Sequence, residues 1–443
     1  MTSAKTEHEV IDAIHTVLRD HLQNRHLDRF GPDARLNEDL YLDSVLMMEL
    51  FLQLELSFGL EAPDELITSR DLATVADVAG LFAGTRPAAA AEELPPGSVH
   101  GEEYQDLKIH CFVSCVCDAL KRAGIDHRPF YFGVWDAAFE VGADRVLRYH
   151  GPTVSHDVFR DWYRRLYGAE VRQWYDNGRS KEDNLALLVD LVERRSDSLS
   201  IMAMIDLFHL PERENKFNQN PFPHYLMLET GSDPATFMVR DPDFRWEGEI
   251  ARERIATAFL QPSVAGGYLF DRRDLHPARP ADVAAYFEAC FLPDANPLTA
   301  AVRGILAAHL DGSDGLSPAG LSHALRELPV FAIRKYAYEH GFAFFWRALR
   351  LPDDSFLARC DEIEELFQGF KALQYGILRL AQTGDAGLAP DLFARLDLLD
   401  RQETALKGEL GAVFRQWRAA AIAAPNSAPL SAPLSAPRSA EVA

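Results

Sequence analysis

The chain has 443 residues, 47% of them hydrophobic and 25% charged, with a net charge of −22. At about 150 residues per domain this length predicts roughly three domains, and the mix excludes a collagen-like, wholly disordered or disulfide-scaffold protein. The acidic excess argues against nucleic acid as a partner, because phosphate binding runs on Lys and Arg, and no apolar run approaches the roughly 18 residues of a membrane span.

The N-terminus, MTSAKTEHEV, lacks the apolar segment of a secretory signal. The odd cysteine set, Cys111, Cys115, Cys117, Cys290 and Cys360, predicts free thiols in a reducing cytosol, so the protein is expected to be cytoplasmic, without a membrane partner. Residues 1–85 hold 16 acidic and 6 basic side chains, nearly half of the net charge. Residues 7–21 put Val10, Ile11, Ile14, Val17 and Leu18 on one helical face. A polar loop leads to a second helix in which Val45, Met48, Leu52 and Leu56 form a stripe. Ser44 stands where it caps that helix, with Asp43 adding favourable negative charge.

Residues 86–100, RPAAAAEELPPGSVH, read as a solvated linker. A mixed α+β region follows over 101–275. It begins with a helix from about Cys111, then β-rich runs at 129–134, 199–207, 224–230 and 235–240, with polar helices at 156–167 and 181–195 between them. Residues 276–420 read as all-helical, with periodic runs at 281–290, 298–309, 330–349, 358–383 and 400–420. The Ser-Ala-Pro repeats of 421–443 have too little to bury and are expected to be disordered.

The first module resembles an acyl carrier protein over about 80 residues. The likeness rests on Asp39-Leu40, Leu42-Asp43-Ser44-Val45, Glu49-Leu50, Phe58-Gly59, Pro63 and Thr74-Val75-Ala76-Asp77-Val78, with Val45 where the family has Leu. The resemblance implies a four-helix bundle with 4′-phosphopantetheine covalently on Ser44. A phosphopantetheinyl transferase would attach it, and an acyl-activating ligase elsewhere would load it. The acidic second helix suits docking of basic partners.

In the middle region, zinc finds no second Cys or His pair at ligand spacing to join Cys111, Cys115 and Cys117, so no metal is expected. Cys115 and Cys117 read as small buried hydrophobes. Cys111 falls at the helix start, where the dipole and unpaired N–H groups favour a thiolate. His224 opens the strand HYLMLET and Asp241 closes the next strand, TFMVRD. A hairpin through GSDPA sets them side by side, so that the carboxylate orients the imidazole and the second ring nitrogen faces Cys111. His110 and Asp118 flank the helix as surface or supporting groups. His209 sits one turn from Asp206 in a supporting role. The aromatic run Phe331, Tyr336, Tyr338, Phe342, Phe344, Phe345 and Trp346 reads as core rather than a ligand site.

This constellation resembles papain-like cysteine enzymes. The bacteriocin-processing peptidases share a Gln six residues before the Cys, here Gln105, and a final Asp-Pro, here Asp241-Pro242. The butirosin biosynthesis protein H family is closer. His110-Cys111, Leu120, Gly124, Tyr131-Phe132-Gly133, the Asp-x-x-x-Leu-Pro motif ending at Pro211, and His224-Tyr225 all fit it. That resemblance implies an acyltransferase of a siderophore- or antibiotic-type pathway. Cys111 would be the nucleophile, His224 the base, Asp241 its orienting group and Gln105 an oxyanion donor. An acyl group would pass from the carrier thioester to Cys111 and then to a small-molecule amine, as an amide. No GxxxxGK[ST] loop is present, in keeping with a step that needs no ATP. Two alternatives stay open: hydrolysis at the same site, and a non-catalytic platform for carrier docking.

Overall fold

The computed structural model describes residues 6–42, 44–62, 72–84, 109–151, 153–213 and 221–423. Asp43, Gln105, the linker 86–100 and the tail from 424 lie outside them. The protein is a multidomain mixture of α and β structure with a helical C-terminal region.

The N-terminal module contains α1 (Glu7–Asp20), α2 (Ser44–Phe58) and α3 (Val75–Phe82), with a single 3-10 turn at Leu27–Arg29. Residues 63–71, where a fourth helix would fall, lie outside the described residues. Both α1 and α3 start on capping boxes. Thr6 and Glu9 bond reciprocally in the first, Thr74 and Asp77 in the second, satisfying N–H groups the helix leaves open. The stripe expected on α2 holds only in part. Met48 and Leu52 are buried, but so are Leu50, Phe51 and Leu54, whereas Leu56 is 44% exposed. The helix packs against α1 and also against a long helix of the C-terminal region, so it buries more than one face.

The middle region starts with α4 (Cys111–Arg122), followed by the small β1–β2 hairpin (Glu140–Val141, Leu147–Arg148) and α5 (Asp157–Tyr167). Next come β3 (Arg172–Gln173), α6 (Lys181–Glu193), β4 (Leu199–Asp206), β5 (Pro223–Thr230), β6 (Thr236–Asp241), β7 (Trp246–Ala251), α7 (Arg252–Phe259) and β8 (Gly267–Asp271). Among the described residues, β3–β8 form one antiparallel sheet in the order β3-β8-β4-β5-β6-β7. Central β4 is buried almost throughout, and edge strand β7 alternates. Helix α4 packs on β5.

The β-rich run read at 129–134 is a 3-10 helix, Arg128–Gly133. Pro129 suits its first turn. A strand would send successive side chains to opposite faces, but three consecutive rings are buried here among different partners. Phe130 meets Tyr163, Tyr131 stacks on His340, and Phe132 stacks on Phe345. Burial on every side, rather than strand pairing, explains the aromatic richness.

The C-terminal region runs through α8 (Pro280–Cys290), α9 (Pro297–Asp311), α10 (Leu321–Ala324), α11 (Leu328–Ala332), α12 (Ala337–Leu349), α13 (Asp353–Thr383) and α14 (Ala389–Ala423). One hydrophobic core extends from Ile109 to Trp417 across the middle and helical regions without a break, while the N-terminal module has its own. The aromatic run contributes Phe331, Tyr336, Tyr338, Phe342 and Phe345 to the larger core. A buried polar network stitches the two regions. Lys335 Nζ donates to Trp135 O at 2.9 Å and to Asp136 Oδ1 at 3.3 Å, and also pairs with Glu403. Lys407 Nζ reaches Asp136 Oδ2 at 2.6 Å, and Tyr338 donates to Glu403 Oε1 at 2.9 Å.

The N-terminal module is joined to α13 by a lighter clasp. Tyr375 donates to Glu55 Oε2 at 2.6 Å, Arg379 pairs with Glu55 Oε1 at 3.1 Å, and Gln53 donates to Gln382 at 2.8 Å. Tyr375 and Leu378 complete the module's core.

Removing one member of a buried ion network leaves its partners charged and unpaired, at a cost of about 3–5 kcal/mol. Lys335→Met should therefore lower the urea unfolding midpoint of residues 109–423 strongly, and Arg379→Ala should barely move it. Equal shifts for the two variants would contradict this division.

Candidate active site

Cys111 is the first residue of α4, and His110 is its N-cap without any side-chain capping bond. The cap comes from another element. Asp243, in the β6–β7 turn, accepts from the His110 backbone N–H at 3.2 Å and from Ser114 Oγ at 2.6 Å. The start of α4 is thereby pinned to the sheet. The N–H groups of its first turn, which begins at Cys111, have no partner within the helix.

The β5–β6 register sets Met227 opposite Arg240. Continued by one residue it puts Leu226 opposite Asp241, which leaves His224 a diagonal step away on the same face. His224 Nε2 lies 2.9 Å from Asp241 Oδ1. With Nε2 engaged, Nδ1 is left for the Cys111 sulfur, which is near enough to favour the charged form of His224. Phe222 stacks on the imidazole at 6.1 Å and Phe244 meets it edge-on at 5.1 Å. Asp241 Oδ2 takes a second charge-assisted bond, from Arg213 Nη2 at 2.9 Å. The guanidinium of Arg213 lies 4.4 Å over the Trp246 ring and 5.0 Å over that of Phe244.

All three groups are shut from solvent: Cys111 is 4% exposed, His224 3% and Asp241 0%. Burial works against charge on His224, but Asp241 and then the Cys111 sulfur outweigh it and raise its pKa from the ordinary 6.5 to about 10. Burial also opposes ionisation of Asp241, yet His224 and Arg213 hold it below the usual carboxylate range. Burial pushes Asp243 up. The remaining thiols are poor nucleophiles. Burial raises Cys115 well above its ordinary value and Cys290 to about 12, and Cys360 rises likewise. Cys117 is fully buried.

The structure thus brings Cys111, His224 and Asp241 together. Gln105 lies outside the described residues. His110 is a buried neighbour of the site, and Asp118 pairs with Arg122 at 2.9 Å beyond it. His209 rests against Phe208, while Asp206 ties down the segment before β5 by accepting from the Phe222 N–H at 2.9 Å and Ser263 Oγ at 2.6 Å. Ser44 is the first residue of α2. Among the described residues no cluster of His, Cys, Asp and Glu is arranged to hold a metal ion.

Sequence reasoning passed over Asp243, Arg213, Tyr149, His150, His156 and Arg334. Asp243 had a signal, since the second acid of Asp-Pro-Asp follows a strand end. Arg213 follows the Leu-Pro motif by two residues. Arg334 had none, being far from the site in sequence.

Residues 106–275 match the DUF6005 N-terminal domain, and residues 281–429 match the DUF6005 C-terminal domain. The chain belongs to the DUF6005 family. It is also similar to petrobactin synthase of Bacillus anthracis, with 38% identity over 314 residues, covering 70% of this chain and 96% of that protein. No solved structure matches it. Cys111, His224 and Asp241 fall in the N-terminal DUF6005 domain, and the module of α1–α3 precedes both domain matches.

A pKa raised on folding contributes stability that is complete below the unfolded value and is lost as pH climbs through the folded one. For His224 that window runs from 6.5 to about 10. The stability deficit of His224→Gln against the wild type should be largest near pH 6 and narrow toward pH 10 in urea unfolding. A deficit flat across that range would show that His224 is not held as the cation.

Proposed function

We propose that this protein is an acyltransferase of natural-product, siderophore-type biosynthesis that forms an amide through acyl-Cys111. The observation that carries the reading is the buried line from sulfur to imidazole to carboxylate, Cys111–His224–Asp241, at the start of a helix packed on an antiparallel sheet. The arrangement supports the papain-like reading. The similarity to petrobactin synthase supports a synthetic reaction in such a pathway.

The N-terminal module is read as the acyl carrier. Ser44 opens a 15-residue helix, and helix N-termini favour a phosphate group, so its placement fits attachment of 4′-phosphopantetheine. That group, when bound, supplies a thiol that holds the acyl chain as a thioester. Carrier and site share one chain, which raises the effective concentration of one for the other to about millimolar where the tether is short.

His224 starts as the imidazolium that already holds the Cys111 proton, and the sulfur adds to the thioester carbonyl. Backbone N–H groups at the start of α4, with Gln105, hold the resulting oxyanion. His224 returns the proton to the departing sulfur as the carbonyl re-forms, leaving acyl-Cys111. An incoming amine then adds to that carbonyl. His224 accepts the amine proton and passes it to Cys111 as the carbon–sulfur bond breaks and the amide leaves. Asp241 keeps Nε2 occupied throughout, so that Nδ1 does the proton work. The partners required are a phosphopantetheinyl transferase, an acyl-activating ligase and a small-molecule amine.

Hydrolysis would use the same groups with water in place of the amine. The near-complete burial of all three side chains favours transfer, because it keeps bulk water from the acyl-enzyme.

Intact-mass analysis of the phosphopantetheinylated, acyl-loaded protein, with and without amines, tests the proposal. Acyl should appear on Cys111 and leave as amide. Cys111→Ala should abolish turnover, and His224→Ala should slow it by about 10²–10⁴. Free acid in place of amide would make the protein a hydrolase, and unchanged turnover in Cys111→Ala would make the domain a docking platform.

A further inference from the structure

Arg334, in the 3-10 turn Ile333–Tyr336 between α11 and α12, is 2% exposed. Its Nη1 donates to Ala137 O at 3.2 Å, and its guanidinium lies 4.1 Å over the Tyr149 ring. Nε has no hydrogen-bond partner, and among the described residues no carboxylate pairs with it. The other buried cations are treated differently. Arg213 has Asp241, Lys335 has Glu403 and Asp136, and Lys407 has Asp136. A buried charge with no counter-ion is strongly unfavourable. The hollow of about 10 Å³ that Arg334 helps to line has room for a single water, and the one carboxylate on its wall, Asp136, is already paired with Lys335 and Lys407.

The surroundings of Arg334 are those of the nucleophile. His110, directly before Cys111, lies 5.7 Å from the Tyr149 ring and 6.0 Å from that of His156, and its Nδ1 also lacks a partner. Tyr149 feels both Cys111 and Arg334, and His150 feels His224. Burial, reinforced by Arg334, pushes His156 down to about 4 and His110 well below its usual value; burial with His156 and then Arg334 takes His150 to about 3. The three imidazoles are therefore neutral near pH 7; His150 is engaged by the Pro223 backbone, which leaves His110 and His156 as the donors. They stand at the N-terminal end of the 12-residue α4, whose unpaired N–H groups favour an anion.

We propose that Arg334, with His110 and His156, receives a carboxylate of the substrate beside Cys111. A planar guanidinium matches a carboxylate fork to fork. This assignment deepens the reading of Cys111 as nucleophile and rests on it. It also gives the helical region a direct part in the site, since Arg334 belongs to that region.

The test uses the full chain and two small alkylating agents that both displace iodide at Cys111, one anionic and one neutral. Relative to a free thiol at the same pH, iodoacetate should be favoured over iodoacetamide by about tenfold or more, the size of one charge-assisted contact. Arg334→Gln should remove that preference and leave the iodoacetamide rate nearly unchanged, while Arg334→Lys should keep part of it. An unaltered ratio in Arg334→Gln, or an equal fall with both reagents, overturns the proposal. The wild type alone gives a second check: acetate should protect Cys111 from iodoacetamide and acetamide should not, and equal protection by the two overturns it. Single-turnover acylation locates the carboxylate. Slowing in Arg334→Gln confined to carboxylated thioesters places it on the acyl group, and normal acylation with a raised KM for a carboxylated amine places it on the acceptor. If the alkylation preference holds while no amide forms, the anion site stands and the transferase reading fails. If amide forms without the preference, the reverse is true.

Discussion

An imidazolium out of contact with water must be held by opposite charge, and the active-site half of the molecule is arranged around that constraint. His224 is 3% exposed, and its charged form is kept by Asp241 at 2.9 Å on one side and the Cys111 sulfur on the other. Asp241 is itself buried and needs a cation beyond His224, which Arg213 provides from between two aromatic rings. The start of α4 must then stay in register with the sheet, and Asp243 fastens it there. Cys111 sits at a helix start and His224 and Asp241 at strand ends, with Asp243 in the tight turn after β6, the condition for holding reacting atoms in place.

The molecule has two levels of coupling. Between the middle and helical regions, the core is shared and the Lys335–Glu403–Asp136–Lys407 network is desolvated, so neither region has a closed core without the other. Between the module of α1–α3 and α13, the polar contact is a clasp centred on Glu55 with a Gln53–Gln382 bond beside it, over an apolar contact through Tyr375 and Leu378. Arg379 in that clasp is 43% exposed, which limits what its ion pair contributes. A catalytic body with a lightly held module is the division that the proposed carrier reading calls for, because a carrier would have to visit its loading partners as well as the site.

The sequence made some of this legible for definite reasons. The hairpin between β5 and β6 carries its own register, so the approach of His224 to Asp241 follows from local spacing and alternation. The α4 start is marked by the change from polar residues to the periodic run after Cys111. Local periodicity misled at 129–134, where Phe130, Tyr131 and Phe132 looked like a strand because aromatic residues favour sheets. In the fold they are wedged into the seam with α12, and tertiary burial overrode the propensity. The stripe assigned to α2 failed at Leu56 for a related reason: one-faced amphipathicity assumes one packing partner, and α2 has two. Arg334 was invisible because its meaning depends on Tyr149 and His110, nearly two hundred or more positions away, and a lone Arg in a helical stretch reads as surface.

The closed state of the site bears on the chemistry directly. An acyl-Cys thioester releases free energy whether water or an amine attacks it, so the product is decided by access and not by the overall driving force. Cys111 and His224 are nearly sealed, and aromatic rings line the approach through Phe222, Phe244 and Tyr149. Admission then falls to a ligand that repays the opening of the site with binding energy, and water has none to offer. A buried guanidinium without a carboxylate partner near the nucleophile supplies such a term, because a matching anion adds the charge pairing that Ala137 O and the Tyr149 ring do not. On the proposed chemistry, the interaction that recognises the substrate would also gate the step that commits it to amide rather than acid.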